Sequence, residues 1–571
     1  MKKRKSKVVL VSVLLSLSLV ITGCINSKSN DTTGKVNDGG GTSVEDPNDP
    51  YLGKYLETIE VSTVRIIGDN VKFADGEDMD NNQWTRTLME RLGIKVKNDW
   101  IVKGEQPGGP GEQKMNVSIA SGDLPDIFPV NATQLKQLSD ADQLMDLTKL
   151  YEKYASPLVK DMMGKATNGL ASATFDGKML GIPRPSSTID GASMLWIRKD
   201  WLTKLGLPEP KTMEDVLKIS DAFTNDDPDG NGQKDTYGLA LTKNLYGSTF
   251  KNGDFGTLEG FFNGYHAFPQ QWVKDDKGDL VFGSIQPEMK DALIELQKMY
   301  KDGQIDREFG VKDEAKEGEL SAAGKIGMTY GQMWITLSDW LKNTKNNDPN
   351  AEWQAYPIVS NDNQPATTQI SGIGVDRFYY VVNKDAKNPE ALFKMMNLFA
   401  ELQFGPNTSA EDWQKHSKVD GFEIWTYFPF PVGQPDKNLN IHQNVVAALD
   451  SKDASKLNPE ETDAYKKSAA MESGNFTVDD WSYDKVFGRT GSQAVIKTYV
   501  DGNLLKPGEF YGVSTPTMSE KFETLRKMEL EMVTKIILGE SIGEFDKFVE
   551  NWKKLGGDDI TKEVNEWNDS K

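Results

Sequence analysis

Ala120-Ser121-Gly122-Asp123-Leu124-Pro125-Asp126-Ile127-Phe128 (ASGDLPDIF) reads as the end of a helix followed at once by the start of a strand. Gly122 and Pro125 stop the helical pattern of residues 111–120, and Ile127 to Val130 open a short apolar run of the kind a buried strand needs. The same alternation lies upstream. Residues 60–67 (EVSTVRII) read as a strand, residues 82–92 (NQWTRTLMERL) as a helix with Trp84, Leu88 and Leu92 on one stripe, and residues 94–102 as a second strand after Gly93. Strand, helix, strand in that order predicts an α/β fold on a parallel sheet.

Downstream, residues 196–202 read as strand into helix, and residues 206–210 (GLPEP) as a rigid turn. Thr212 with Asp215 caps a helix whose Val216, Leu217, Ile219 and Phe223 face a core. Near the C-terminus, Thr517 with Glu520 is expected to cap a helix carrying Phe522, Leu525, Met528, Met532, Val533 and Ile536, which Gly539 ends. Ser541 with Glu544 is expected to start another, with Phe545, Phe548, Trp552 and Leu555 on its apolar stripe.

The first residues, MKKRKSKVVLVSVLLSLSLVITGC, combine a basic head (Lys2, Lys3, Arg4, Lys5, Lys7) with an apolar run from Val8 to Ile21, too short to span a bilayer and typical of an export signal. Thr22 and Gly23 before Cys24 resemble a bacterial lipobox, in which Cys24 would carry diacylglycerol and become the mature N-terminus. Cys24 is the only cysteine of 571 residues, so one chain can form no internal disulfide. Two acyl chains on one glyceryl group would supply the two signals that stable anchoring requires. Removing residues 1–23 takes away five basic side chains and no acidic one, moving the net charge from −20 to −25. That disfavours nucleic acid, whose binding relies on clustered Lys and Arg. Residues 25–50 are rich in Gly, Ser, Asn and Asp and read as a flexible spacer. The roughly 510 residues that follow exceed what one core usually serves, which predicts two lobes.

ASGDLPDIF resembles the first conserved stretch of family 1 of the extracellular solute-binding proteins of ABC importers. Further similar stretches follow in the family's order: residues 146–150 (DLTKL), 176–184 (DGKMLGIPR), 195–202 (LWIRKDWL), 324–328 (GKIGM) and the C-terminal GGDDITKEVNEW. The chain is most similar to the large lipoprotein branch that includes LplA-type lipoproteins and alginate-oligosaccharide receptors. The resemblance implies an enlarged two-lobed, type II periplasmic-binding-protein-like α/β fold, with the ligand cleft between lobes joined by hinge segments. It places a signal peptide at 1–23, a linker at 24–57, lobe 1 at 58–184 plus about 366–425, and lobe 2 at 185–365 plus about 426–571. It implies a monomeric, lipid-anchored receptor on the outer face of the bacterial cell membrane that hands an oligosaccharide to ABC permease subunits. The alternatives are a surface polysaccharide-degrading enzyme and a receptor for a non-sugar solute.

Residues 227–238 (DPDGNGQKDTYG) carry oxygen side chains at loop positions 1, 3, 5 and 9, Gly at 6 and a carbonyl at 7, the order of an EF-hand. The expected Ca2+ ligands are Asp227, Asp229, Asn231, the Gln233 carbonyl and Asp235; position 12 is Gly238, so the bidentate Glu is missing. The alternative is an Asn/Asp/Gly turn held by its own side chains. For the ligand, sugar rings stack on aromatic faces and their hydroxyls need a few placed polar groups. Candidate platforms in turn-rich or polar stretches are Tyr265 and Trp272, Trp334, Trp425 and Trp84, with Trp334 and Trp425 foremost because the resemblance puts the cleft between lobes. Arg184, Asp126 and Arg489 are candidate polar contacts, a surface charge or a cap being the alternative for each. No HExxH, Walker or GxSxG pattern is present, and His266, His416 and His442 lack metal-ligand spacing, so no catalytic residue is assigned.

Overall fold

The computed structural model describes residues 48–69, 71–247, 255–419 and 422–571; the export segment, Cys24 and most of the spacer lie outside the described residues. Strand β1 (Ile59–Ile67) leads through helix α1 (Gln83–Thr87) and a π turn over Leu88–Leu92 to β2 (Ile94–Lys103). Asn82 caps α1 by accepting from the Trp84 and Thr85 amides, and Gly93, at φ +69°, ends the π turn. Helix α2 (Pro110–Ser121) starts on a proline, whose missing N–H is harmless in a first turn, and ends on left-handed Gly122. The chain then enters β3 (Ile127–Val130), buried throughout.

Next come β4 (Ile182–Pro185), β5 (Met194–Arg198), α3 (Met213–Asn225), β6 (Tyr237–Leu239), β7 (Ile326–Gly331), β8 (Trp353–Tyr356), β9 (Val375–Val382), α4 (Ala391–Phe404), α5 (Pro516–Ile537) and α6 (Gly543–Trp552). The expected parallel pairing holds for β1 and β2. The two larger sheets instead are mainly antiparallel. In one, β9 runs between β3 and β4, opposed to both. In the other, of order β8-β5-β7-β6, only β7 and β6 are parallel. The physical reason is connectivity: β9 reaches its sheet after the chain has built the other one, so no local right-handed crossover dictates its direction.

Each sheet carries its own core. Ile127, Ile182, Tyr380 and Val382 pack with Trp84 and with α4, buried on nearly every face. Leu195, Ile197, Phe223, Met328 and Ile536 form the other. Ile370 packs on the second lobe and Val375 against the first, whereas Phe428, Phe430 and Val432 belong to the first and Ile441 to the second. The connecting segments touch closely. The Ser186 amide donates to Gly374 O at 3.1 Å, and a Cβ on Gly433 would stand 2.3 Å from Pro185 O, a contact only glycine permits. None of the described helices is long and apolar enough to cross a membrane.

One helix start and one helix end differ from expectation. Pro516 fits the first helical position of α5, so Thr515 is the cap and accepts from Met518 N, while Thr517 Oγ1 donates to Glu563 instead of pairing with Glu520. Leu555 is 50% exposed because α6 passes at Lys553 into a π turn with Gly556 at φ +133°, which rotates Leu555 off the apolar stripe. The Thr212–Asp215 capping box on α3 forms as expected.

Candidate functional site

Both lobes line a cavity of about 840 Å³, within the range of small-molecule sites. From the first lobe, β1 presents Arg65, β4 presents Arg184, β9 presents Asp376 and Phe378, and a 3-10 turn over Ile424–Tyr427 presents Trp425. From the second come Asp190, Tyr246, Glu259, Gln332 and Trp334, with Arg526 on α5 at the rim. Trp425 is half-buried, packs against the first core and is oriented by Nε1 donating to Glu423 at 2.9 Å. Trp334 is half-buried against the second core, and its indole N–H has no hydrogen-bond partner.

The charged groups are held in place. Arg65, 6% exposed, donates Nη1 to Tyr427 O at 2.7 Å and Nη2 to Phe428 O at 2.9 Å and Thr426 O at 3.1 Å; burial lowers its guanidinium to about 10. Arg184 Nε lies 3.3 Å from Asp376 Oδ2. Asp190 accepts from Asn438 and Gln493, each at 2.9 Å, yet burial still lifts its carboxyl above the usual range. Burial likewise raises Glu259, which accepts from the Gly247 amide at 2.5 Å. Behind the wall, Glu529 on α5 is buried and pushed up to about 7, chiefly by desolvation, with Ser284 and Tyr246 as its polar neighbours.

Of the sequence candidates, the structure brings Trp334, Trp425 and Arg184 together in this cleft. It places the others elsewhere. Trp84 has no exposed surface and lies among Phe428 at 4.6 Å, His416 at 4.7 Å and Phe399 at 5.4 Å, so it offers a ligand no face. Trp272 is buried beside Phe282, and Tyr265 lines a separate shallow depression with Asp291 and Glu295. Asp126 accepts from the Ser62 amide and hydroxyl at 2.9 and 2.8 Å. Arg489 pairs at the surface with Glu472, at 2.6 Å, and Asp450. Sequence reasoning found the right stretches but missed residues within them: Gln270 and Gln271, beside Trp272, and Gln332, two before Trp334, reach the cleft. Turn residues around glutamines were the available signal.

The loop at 227–238 has the oxygen donors a hard cation needs. Here it is closed by hydrogen bonds: Asn231 Nδ2 donates to Asp229 at 2.8 Å and Asp235 at 3.2 Å, and the Asn231 and Gly232 amides donate to Asp227. Lys325 Nζ stands 2.6 Å from Asp235 and 3.4 Å from Asp229. Among the described residues no group of three or more acidic, His or Cys side chains is disposed to hold a metal. The missing Glu has a steric cause, since a Cβ on Gly238 would stand 2.1 Å from Ser220 Oγ.

Comparison with known proteins accords with this architecture. Over 472 residues, 81% of this chain and 84% of the relative, the sequence is 24% identical to the polygalacturonan/rhamnogalacturonan-binding protein YtcQ of Bacillus subtilis. The fold is similar to that of the Streptococcus pneumoniae ABC-transporter substrate-binding protein FusA in complex with kestose, at a TM-score of 0.53 and 18% identity, covering 90% of this chain and 100% of that one. It is also similar to alginate-binding protein AlgQ2 without calcium ion, at a TM-score of 0.52 and 16% identity over 90% and 98% of the two chains. Two lobes of mixed sheet and helix, lining one aromatic cleft, coincide with a match of residues 84–401 to the family model for bacterial extracellular solute-binding proteins, and the chain belongs to that family.

Proposed function

We propose that this protein is the substrate-binding component of an ABC importer, which captures an oligosaccharide in the cleft and passes it unaltered to permease subunits. The observation that carries this reading is the meeting of Trp334 and Trp425 in one cavity, each packed on a different lobe's core. Two aromatic faces, one from each lobe, suit the apolar faces of sugar rings, and the amide and hydroxyl groups of the lining suit ring hydroxyls. Kestose in the FusA complex supports an oligosaccharide as the ligand, and the polysaccharides named for YtcQ support only the wider class of glycans. On this reading lobe 1 comprises residues 58–185 and 374–432, lobe 2 comprises 186–373 and 433–571, and hinge motion at the connecting segments closes the cleft. Diacylglycerol on Cys24 tethers the monomer to the outer face of the membrane.

Isothermal titration against a glycan panel, with small-angle scattering, tests the proposal. Saturable binding of an unhydrolysed oligosaccharide with a smaller radius of gyration is expected. New reducing ends, abolished by one carboxylate substitution, would overturn it in favour of an enzyme. We also propose that residues 227–238 take a structural Ca2+ on Asp227, Asp229, Asn231, the Gln233 carbonyl and Asp235, displacing the Lys325 ammonium. Ca2+ retained through dialysis and a lower Tm on chelation are expected, and neither effect appearing would retire the site.

A further inference from the structure

We infer that the cleft is built for an electrically neutral glycan and excludes chains of uronic acids; this rests on the glycan reading above and narrows it. A carboxylated sugar leaving water needs charge-assisted donors, and an unanswered carboxylate is strongly disfavoured in a desolvated site. Among the described residues three guanidiniums, and no lysine or histidine, line the cleft. Arg65 is engaged at both terminal nitrogens, and Arg184 and Arg526 each have a carboxylate beside them. Arg65 spends its terminal nitrogens on the carbonyls of Thr426, Tyr427 and Phe428, and turning it toward a ligand would strand those carbonyls. Arg184 faces Asp376. Arg526 bonds Glu523 at 3.5 Å and lies within the electrostatic reach of Glu529. Glu105, Asp190 and Glu259 add carboxyl groups to the cleft lining.

The buried polar atoms of the cleft lining that are left without partners are neutral. Gln270 Nε2, Gln271 Oε1, Gln332 Oε1 and Trp334 Nε1 are buried, belong to cleft-lining residues and have no hydrogen-bond partner. They are both donors and acceptors. Gln271 is fixed in sense, because its Nε2 donates to Ile370 O at 2.6 Å and leaves Oε1 as the unused end. A sugar hydroxyl donates and accepts at one oxygen and can satisfy either kind of group, whereas a carboxylate only accepts and would set its oxygens against the amide oxygens.

The test titrates the full chain in detergent with two probe sets of equal length: neutral fructo-, galacto-, manno-, xylo- and malto-oligosaccharides, and oligogalacturonates with alginate oligosaccharides. A member of the neutral set is expected to bind about 100-fold or more tighter than any uronate, with a Kd that does not move between low and high salt. Asp376→Asn, which releases Arg184 from its carboxylate, is expected to raise uronate affinity about 10-fold. A uronate that binds wild type as tightly as the best neutral sugar would overturn the inference and leave the glycan reading standing. A folded Asp376→Asn protein with no gain for uronates would also overturn it. Binding of neither set would remove both. If Asp376→Asn does not fold, the wild-type comparison decides alone.

Discussion

Glu317, in the helix Glu314–Ala322, has no exposed surface, and neither of its carboxyl oxygens has a hydrogen-bond partner of good geometry. Burial first, and then the charge of Asp306, lift its carboxyl from 4.5 to about 8, with Lys312 pulling the other way. The native protein therefore holds a proton that the unfolded chain has lost throughout the window from about pH 4.5 to 8. Stability must fall as pH rises through that window, and level off on either side of it. Each pH unit is worth about 1.36 kcal/mol, so the span from 4.5 to about 8 amounts to roughly 5 kcal/mol. Glu317→Gln keeps the shape and removes the titration, while its amide hydrogens find no better partners, a loss of about 1–3 kcal/mol at every pH. The difference between variant and wild type should thus change sign: the variant is less stable by about 1–3 kcal/mol near pH 4.5 and more stable by about 2–4 kcal/mol near pH 9. Urea unfolding followed by circular dichroism across that range reads it, and taking the difference cancels the titrating groups that do not interact with Glu317. A difference that stays constant within about 1 kcal/mol from pH 5 to 9 would refute the reasoning.

Trp334→Ala and Trp425→Ala are each expected to weaken binding of the best glycan about 10-fold by calorimetry, with little change in the unfolding midpoint, since each ring is only half-buried. Trp84→Ala should show the opposite balance, a loss of about 3–5 kcal/mol of stability in urea, because it empties a fully enclosed site. Arg65→Met should cost about 3 kcal/mol or more in the same assay, as it strands the three carbonyls of residues 426–428. A variant as stable as wild type would show that those carbonyls find other partners.

Local chemistry was legible in the sequence where cause and effect lie within a few residues. Asn82, Gly93 and Gly122 mark helix ends because a cap or a left-handed turn depends on one residue and its neighbours. The Thr212–Asp215 box is of the same kind. Sheet direction was not legible, because the partners of β9 in β3 and β4 lie far from it in the chain. Nor could the aromatic residues be sorted. Trp84 and Trp425 both stand in polar surroundings in the sequence, but the rings that enclose Trp84, Phe399 and Phe428, come more than 300 residues later.

Counting arginines near a groove says little about the charge the groove presents, and Arg65 shows why. Its partners are backbone carbonyls of the segment that carries Trp425, contributed by a part of the chain some 360 residues away. The same bonds that use up its donors also clamp the 3-10 turn at Ile424–Tyr427 to β1 and so fix the aromatic platform at the cleft wall. A guanidinium suits this task, since its planar fork reaches several acceptors at once, as a single ammonium cannot. Charge is thereby converted into position: a guanidinium at the cleft wall becomes the support for a stacking surface, and the cleft's selectivity passes to the unpaired amide and indole groups of its lining.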